Sequence, residues 1–299
     1  MKHESVLLNE SIENLNIKED GIYVDATLGG GGHSYEILKK TPKGHLYAFD
    51  QDLYAIERAN LKLKEFNNKT IIHSNFKNLK SELKKRGIDK IDGILLDLGM
   101  SSFQIDDESR GFTYLKDTKL DMRMDITKEL TAETILNTYS KDELADIFYK
   151  YGDEENSYII AHEVIKNRPL KTTFDLVNIC DKVNFKRKGH SSKKVFQALR
   201  IAVNNELGVL EALLEDVISI LNKKGRIVII TFHSLEDRIV KHFFKDKATN
   251  KTPKNMPILV DGLEAELKLI TKKPILPTEE ELKHNSRSRS AKLRVAEKK

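Results

Sequence analysis

Short apolar runs alternate with amphipathic segments through the first hundred residues of the chain. The runs have the length and the β-branched and aromatic content of buried strands, and they cover residues 21–25, 44–50, 70–76 and 91–99. The segments between them place apolar side chains three or four positions apart, most clearly over residues 52–66. Because strand–helix alternation of this kind is typical of α/β proteins, it predicts a mostly parallel sheet.

The strand pattern stops at about residue 109, and residues 131–205 resemble a succession of short helices. A long helical pattern over residues 197–221 then leads to a fifth apolar run, GRIVIITFHS, which begins at Gly225. The sequence therefore predicts a sheet domain that is interrupted by a small helical domain. The predicted parts are residues 1–108, the insertion 109–202, and residues 203–299 with a basic C-terminal tail.

The stretch VDATLGGGGHS, residues 24–34, joins the first predicted strand to the first predicted helix. Four consecutive glycines let the backbone approach a ligand closely, and the N–H groups of a helix start favour electron-rich atoms. The second strand ends at Asp50, eighteen residues after Gly32. An acid at this place in a doubly wound sheet accepts hydrogen bonds from ribose hydroxyls, so the pattern predicts a Rossmann-like nucleotide site.

Four residues fall at or just after the carboxyl ends of predicted strands: Asp25, Asp50, Phe76 and Asp97. Parallel strands end at the same edge of a sheet, where such folds bind their ligands. We therefore expect these side chains to surround one site. For Phe76 the alternative is an ordinary core position, because buried phenylalanines are common.

Length and composition narrow the class of protein. A chain of 299 residues with 39% hydrophobic residues can form a sizeable core and two domains. The single cysteine, Cys180, excludes an intramolecular disulfide and a cysteine zinc cluster. The chain begins MKHESVLLNE without an apolar leader, and no apolar run approaches the roughly 20 residues of a membrane span. A cytoplasmic protein without membrane contact is expected.

The net charge of +5 is concentrated near the C-terminus. Residues 283–299 contain seven Lys or Arg against one Glu, so the remaining 282 residues sum to −1. A second basic stretch covers residues 182–194. Neither segment has a strong amphipathic face, so they favour nucleic acid over a membrane as partner, and a merely solvated tail is the alternative.

Seven separated motifs span nearly the whole chain. They are HESVLLNE (3–10), DATLGGGGHS (25–34), DLGMSSFQIDDESRGF (97–112), LDMRMD (120–125), FQALRIAVNNEL (196–207), TFHSLEDRIVK (231–241) and NSRSRSAKLR (285–294). In this order they resemble the bacterial ribosomal RNA small subunit methyltransferase H family. The resemblance implies a class I S-adenosylmethionine-dependent methyltransferase that methylates the N4 amino group of cytosine 1402 in 16S rRNA of the small ribosomal subunit.

The same resemblance implies which residues contact S-adenosyl-L-methionine. The positions that match the family's cofactor site are Gly31, Gly32, His33, Asp50, Phe76, Asp97 and Gln104. Asp50 would hold the ribose hydroxyls, Phe76 would lie along the adenine ring, and the backbone of the glycine turn would approach the methionine part. For His33 the alternative is a helix-start residue of which only the backbone matters.

Catalysis must overcome the weak nucleophilicity of a cytosine amino group, whose lone pair is delocalised into the ring. An enzyme can accelerate the reaction by orienting the amino group toward the methyl donor and by providing a hydrogen-bond acceptor for the departing proton. This chain has DLGMSSF where many amino methyltransferases carry an Asn/Asp/Ser-Pro-Pro-aromatic tetrad. Our hypothesis is that Asp97, Ser101 and Ser102 line the methyl-transfer site and that Thr231–Ser234, including His233, closes it. A structural turn is the alternative role of His233.

Two segments of the insertion depart from the family pattern. Residues 156–162 read NSYIIAH where the family has a basic helix, and residues 190–194 read HSSKK where it has an HPATR-like loop. Because both segments lie in the predicted insertion, we expect them to change the contacts with RNA more than the cofactor site. At LDMRMD, a structured loop is expected rather than a metal site formed by Asp121 and Asp125.

Two alternative functions remain open at this stage. A nicotinamide-dependent Rossmann oxidoreductase would also use a glycine turn and an acid, although no catalytic Tyr-x-x-x-Lys pair is placed for hydride chemistry. A non-catalytic RNA-binding protein would leave the acids at the strand ends unexplained. The sequence also leaves the oligomeric state open, a dimer included.

Overall fold

The computed structural model describes residues 5–186, 188–250 and 264–299. The strands in these ranges form one sheet in the order β3-β2-β1-β4-β5-β7-β6. They are β1 (Ile22–Asp25), β2 (His45–Asp50), β3 (Lys69–His73), β4 (Ile91–Asp97), β5 (Leu221–Thr231), β6 (Leu267–Leu269) and β7 (Lys292–Lys298). Strands β1 to β5 pair in parallel, whereas β7 is antiparallel to both β5 and β6. The predicted Rossmann-like, mostly parallel sheet is confirmed.

The helices follow the predicted alternation closely in the first hundred residues. In chain order the α-helices of the described ranges are α1 (Leu8–Leu15), α2 (Gly32–Lys40), α3 (Leu53–Lys62), α4 (Leu79–Lys84), α5 (Ser102–Asp106), α6 (Ala132–Thr138), α7 (Lys141–Gly152), α8 (Ser157–Lys166), α9 (Thr173–Val183), α10 (Lys193–Asn204), α11 (Glu206–Ile220), α12 (Ser234–Lys247) and α13 (Glu279–His284). Among these helices, none has the length and hydropathy needed to span a lipid bilayer.

Several predicted elements differ in their bounds, two of them for a clear local reason. The strand predicted over residues 70–76 ends at His73, because Phe76 begins a 3₁₀ helix that the side chain of Asn75 caps. The long helix predicted over residues 197–221 is two helices, since Asn205 adopts a left-handed conformation (φ +51°) and ends α10. Side-chain periodicity does not report a single left-handed residue, so the break was missed.

The chain divides into two compact units. The sheet unit consists of Met1–Gly99 and Gly208–Lys299, and the helical unit is Met100–Leu207. The predicted insertion, residues 109–202, therefore lies wholly within the helical unit. The unit is longer at both ends because α5 precedes residue 109 and α10 continues to Asn204.

The sheet is buried on both faces. Tyr23 and Leu95 belong to a core with α1, α2 and α3, whereas their neighbours Val24 and Leu96 belong to a second core with α4, α11 and α12. Successive side chains of a strand point to opposite faces, so covering both faces requires continuous apolar runs. This burial explains why the first strands could be recognised in the sequence.

The helical unit has its own core, which includes the buried Cys180. The LDMRMD segment lies in this unit and is a structured loop, as predicted. Its Asp121 carboxylate pairs with the Arg123 guanidinium at 2.6 Å, and the Asn204 side chain hydrogen-bonds to the backbone of Met122 and Met124 at 2.8 Å each.

The C-terminal segment is not a free basic arm, because Lys292–Lys298 forms β7 between β5 and β6. Its Arg294 is only 7% exposed and donates two hydrogen bonds, of 2.7 and 3.2 Å, to the Asp237 carboxylate of α12. The Lys298 ammonium donates to the carbonyl oxygens of Ile218 and Leu221. Much of the positive charge in this segment therefore stabilises the sheet unit.

Removing the Arg294 guanidinium should destabilise the protein. Arg294→Ala should lower the free energy of unfolding by about 3 kcal/mol, because it leaves the partly buried Asp237 carboxylate without its main partner. Lys283→Ala, which removes an exposed cation of the same basic segment, should change it by less than about 0.5 kcal/mol. Urea unfolding of both variants provides the measurement. Equal stabilities would contradict a supporting role for the Arg294–Asp237 pair.

Candidate active site

The glycine turn lies between β1 and α2 at the carboxyl edge of the sheet. Gly29 and Gly31 have φ values of +49° and +74°, a region that residues with a Cβ rarely adopt. A Cβ on Gly32 would lie 1.9 Å from the Ser5 hydroxyl oxygen. Only glycines let the backbone follow this path, so the turn exposes its main chain at the sheet edge.

Asp50 at the end of β2 fixes the turn. Its Oδ2 accepts a hydrogen bond from the Gly29 amide at 2.8 Å, and its Oδ1 accepts one from the Asp52 amide at 2.9 Å. Burial raises the pKa of Asp50 to about 6, although these two amides favour the charged form. The structure therefore brings Asp50 and the glycine turn into direct contact, as the sequence predicts.

Asp25 ends β1 and is 1% exposed. Its carboxylate accepts hydrogen bonds from the Ser34 hydroxyl at 2.6 Å and from the Thr27 amide at 3.1 Å. Burial raises the pKa of Asp25 to about 6. The Asp25 carboxylate therefore connects the end of β1 to the first turn of α2 and stabilises the glycine turn between them.

Asp97 ends β4 on the other side of β1. Its amide donates a hydrogen bond of 2.6 Å to the Thr27 hydroxyl. Its Oδ1 is buried and has no hydrogen-bond partner within the described ranges. Burial first, and then the charges of Asp25 and Glu236, raise the pKa of Asp97 well above its ordinary value. A raised pKa makes a carboxylate a stronger base, so Asp97 is suited to accept a proton.

The His33 side chain is buried and makes contacts of its own. The imidazole is 4% exposed, its Nε2 lies 3.1 Å from the carbonyl oxygen of Val6, and its Nδ1 lies 3.8 Å from Oδ2 of Asp97. It therefore links the N-terminal segment to α2 and to the end of β4.

Phe76 lies just after β3, at the same edge of the sheet. Its ring is partly buried and packs against the sheet core that includes Val24 and Leu96. The preceding Asn75 donates a hydrogen bond of 2.8 Å to the side-chain oxygen of Gln51, which follows Asp50. The sheet core therefore covers the ring of Phe76 only in part.

The remaining predicted site residues cap helices. In the helical unit, the Ser101 hydroxyl accepts a hydrogen bond from the Gln104 amide, and the Gln104 side-chain oxygen accepts one from the Ser101 amide. Ser102 begins α5, but its side chain lies outside the described residues. In the sheet unit, His233 caps α12 through Nδ1, while Glu236 accepts from the Phe232 and His233 amides.

Sequence reasoning missed two residues of this edge, Thr27 and Ser34. Their hydroxyls bind the backbone of Asp97 and the carboxylate of Asp25, respectively. Both residues belong to the DATLGGGGHS stretch, so their positions were visible. Their partners were not, because the Thr27 contact depends on how β1 and β4 align and the Ser34 contact depends on the path of the glycine turn.

The family model of the MraW methylase family matches residues 1–299. The chain belongs to this family. Its sheet order together with this membership confirms the class I S-adenosylmethionine-dependent methyltransferase fold. Neither the nicotinamide-dependent oxidoreductase nor the non-catalytic RNA-binding alternative is supported.

Relatives of similar length agree with the family match. The chain is 62% identical to ribosomal RNA small subunit methyltransferase H 1 of Acholeplasma laidlawii, covering 100% of this chain and 99% of the relative. It is 52% identical to ribosomal RNA small subunit methyltransferase H of Finegoldia magna, covering 99% and 98%. A solved rRNA methylase from Streptococcus thermophilus is 13% identical, with a TM-score of 0.42 over 97% of this chain and 92% of that one.

Removing the hydroxyl that supports Asp25 should cost stability in a pH-dependent way. Ser34→Ala should lower the free energy of unfolding by about 2 kcal/mol near pH 7.5, because a buried carboxylate loses a hydrogen bond. The Ser34 hydroxyl favours the charged form of Asp25, so its loss raises a folded pKa that is already about 6, against an ordinary value of 3.8. The cost is therefore largest above that pKa and smaller near pH 5.

Urea unfolding at both pH values measures this difference. Ser81→Ala, which removes an exposed hydroxyl on α4, is the control and should change stability by less than about 0.5 kcal/mol at either pH. A loss for Ser34→Ala that is the same at both pH values would show that the hydroxyl does not act through the charge of Asp25.

Proposed function

We propose that this chain methylates the N4 amino group of cytosine 1402 in 16S rRNA of the small ribosomal subunit, with S-adenosyl-L-methionine as methyl donor. Family membership over the full length and the names of relatives at 52% and 62% identity support this function. The observation that supports the methyl-transfer chemistry is the state of the Asp97 carboxylate. Its buried Oδ1 has no hydrogen-bond partner in the described part of the chain, and its pKa is raised.

The residues around the glycine turn fit the cofactor. Asp50 would accept hydrogen bonds from the ribose hydroxyls, because each of its oxygens accepts only one described hydrogen bond and retains a lone pair. Phe76 would lie along the adenine ring with its exposed face. The backbone of Gly31, Gly32 and His33 would approach the methionine part, since no Cβ stands in the way at the glycines. When bound, the cofactor supplies an electrophilic sulfonium methyl group.

Asp97 would both orient the target amino group and accept its proton. Its carboxylate takes a hydrogen bond from N4–H, which directs the nitrogen lone pair toward the methyl group. As the amino nitrogen is methylated, its proton would pass to the Asp97 carboxylate, whose raised pKa suits this transfer. We assign lining roles to Ser101 and Ser102, a closing role to His233, and cofactor contact to Gln104.

The substrate base must leave its stack to reach such a site, so the enzyme must also bind the surrounding RNA backbone. We assign backbone contacts to the helical unit. The two segments of this unit that depart from the family pattern, residues 156–162 and 190–194, are connected through Asn184. Its side chain hydrogen-bonds to the Asn156 side chain and to the Ser191 carbonyl oxygen. Lys193 remains exposed beside them and could contact a phosphate.

The Asp50 carboxylate should make cofactor binding pH-dependent. Because its folded pKa is about 6, it is charged above that pH and neutral below it. The affinity for S-adenosyl-L-methionine should therefore fall as the pH is lowered from about 7.5 to 5. Asp50→Asn should weaken binding at least tenfold near pH 7.5, about 1.4 kcal/mol, and should flatten this pH dependence. Isothermal titration calorimetry tests both statements, and an unchanged pH profile in the variant would remove Asp50 from the ribose site.

Mapping the modified nucleotide tests the reaction itself. Wild-type enzyme and labelled cofactor should methylate cytosine 1402 of unmethylated small subunits at N4, and at saturating cofactor Asp97→Asn should slow this at least about 100-fold. His233→Ala and Ser102→Ala test the assigned closing and lining roles. Near-normal turnover in all three variants, with intact cofactor affinity, would reject the assignment of the methyl-transfer site.

A further inference from the structure

The cations of the basic C-terminal segment have different surroundings. Lys292 and Arg294 both contact the Asp237 carboxylate, and Lys298 binds backbone carbonyl oxygens. Arg289 is exposed, and within the described ranges it has no hydrogen bond or ion pair. Its charge is thus available to an anion from outside the chain.

Arg289 lines a cleft of about 400 Å³ in the sheet unit, which we call the β5-edge cleft. Its other lining residues are Phe232, His233, Ser234, Leu276, Ser290, Ala291 and Lys292, so the cleft borders the segment to which His233 belongs. The cleft is open to solvent and large enough for a single nucleotide, since small-molecule sites begin at roughly 300 Å³.

The walls of the β5-edge cleft are of two kinds. Phe232 is partly buried, and Leu276 is 58% exposed although it is apolar, so together they offer an apolar surface to a flat ring. Arg289 and the hydroxyls of Ser234 and Ser290 are exposed on the polar side. Proteins recognise unpaired nucleotides by this combination, with the base on an apolar or aromatic surface and the phosphate on a cation.

The β5-edge cleft lies beside the end of β4, which carries Asp97. The Leu98 amide donates a hydrogen bond of 3.0 Å to the carbonyl oxygen of Ile230, so the two strands end together. A Cβ on Gly99 would lie 3.4 Å from the ring of Phe232. A nucleotide in the cleft would therefore be a neighbour of a base presented to Asp97.

We propose that the β5-edge cleft binds one unpaired RNA nucleotide that flanks the target cytosine. Its phosphate contacts Arg289, and its base lies against Phe232 and Leu276. This inference rests on the proposed function, because it takes RNA as the substrate. The net charge of residues 283–299 favours a nucleic-acid contact without indicating which cation makes it. The proposal assigns the phosphate contact to Arg289.

Three matched variants test the cleft: Arg289→Ala, Leu276→Ala and the control Lys283→Ala. Lys283 is an exposed cation of the same segment that does not line the cleft. The measurement is the affinity of a fluorescent single-stranded RNA of about 12 nucleotides containing the target sequence, between about 50 and 300 mM salt. Cofactor affinity and thermal unfolding are measured in parallel.

Arg289→Ala should raise the Kd for RNA about tenfold at low salt and reduce the slope of log K against log salt by about 0.7, the loss of one phosphate contact. Leu276→Ala should raise the Kd about fivefold with an unchanged slope, since it removes only apolar contact. Lys283→Ala should stay within about twofold of the wild type. All three variants should keep the wild-type cofactor affinity and thermal stability.

Equal Kd values and slopes for Arg289→Ala and Lys283→Ala would overturn the phosphate contact, and wild-type binding by Leu276→Ala would overturn the base contact. The proposed function fails in a different way. In that case the wild type would leave the N4 of the target cytosine unlabelled, while the effect of Arg289→Ala on RNA affinity would persist.

Discussion

Hydrogen bonds between strand ends and the glycine turn hold the candidate site together. Asp25, the last residue of β1, is aligned with Ala48 of β2 and with Leu95 of β4. Asp50 and Asp97 therefore both extend two residues beyond the end of β1, one on each side of it. The turn that follows β1 must pass between these two acids, and it donates the Gly29 amide to one and accepts the amide of the other through Thr27.

This arrangement brings carboxylates together in a partly buried region, which is unfavourable for their charged forms. Burial raises the pKa of all three, and Asp25 raises those of both Asp50 and Asp97 further. Two of the acids are compensated by hydroxyl or amide donors, whereas Oδ1 of Asp97 has none among the described residues. A buried polar atom without a partner is costly in a folded protein, which is why we propose Asp97 as a residue that contacts the substrate.

The sequence predicted the parts of the fold that depend on local pattern. Continuous apolar runs identified β1, β2 and β4 because both faces of the sheet are covered there. The glycines identified the turn because few other sequences can follow that backbone. It also predicted that Asp50 and Asp97 approach the turn, since parallel strands end at one edge. It could not predict that Thr27 would bind the backbone of Asp97, because this depends on how β1 and β4 align.

The charge pattern of the last strand, β7, does not indicate that the strand is buried. Lys292, Arg294 and Lys298 made residues 292–298 resemble a solvated tail, but Leu293, Val295 and Ala296 between them are fully buried. Strand β7 pairs with β5, which lies about 60 residues or more away in sequence, so the pairing cannot be predicted from a local pattern. A count of Lys and Arg treats these cations and Arg289 alike. Their surroundings differ, because Asp237 and backbone carbonyls lie next to the first group, whereas Arg289 lines an open cleft. The neighbouring acceptors, and not the number of cations, therefore determine which charges of this segment are compensated within the protein.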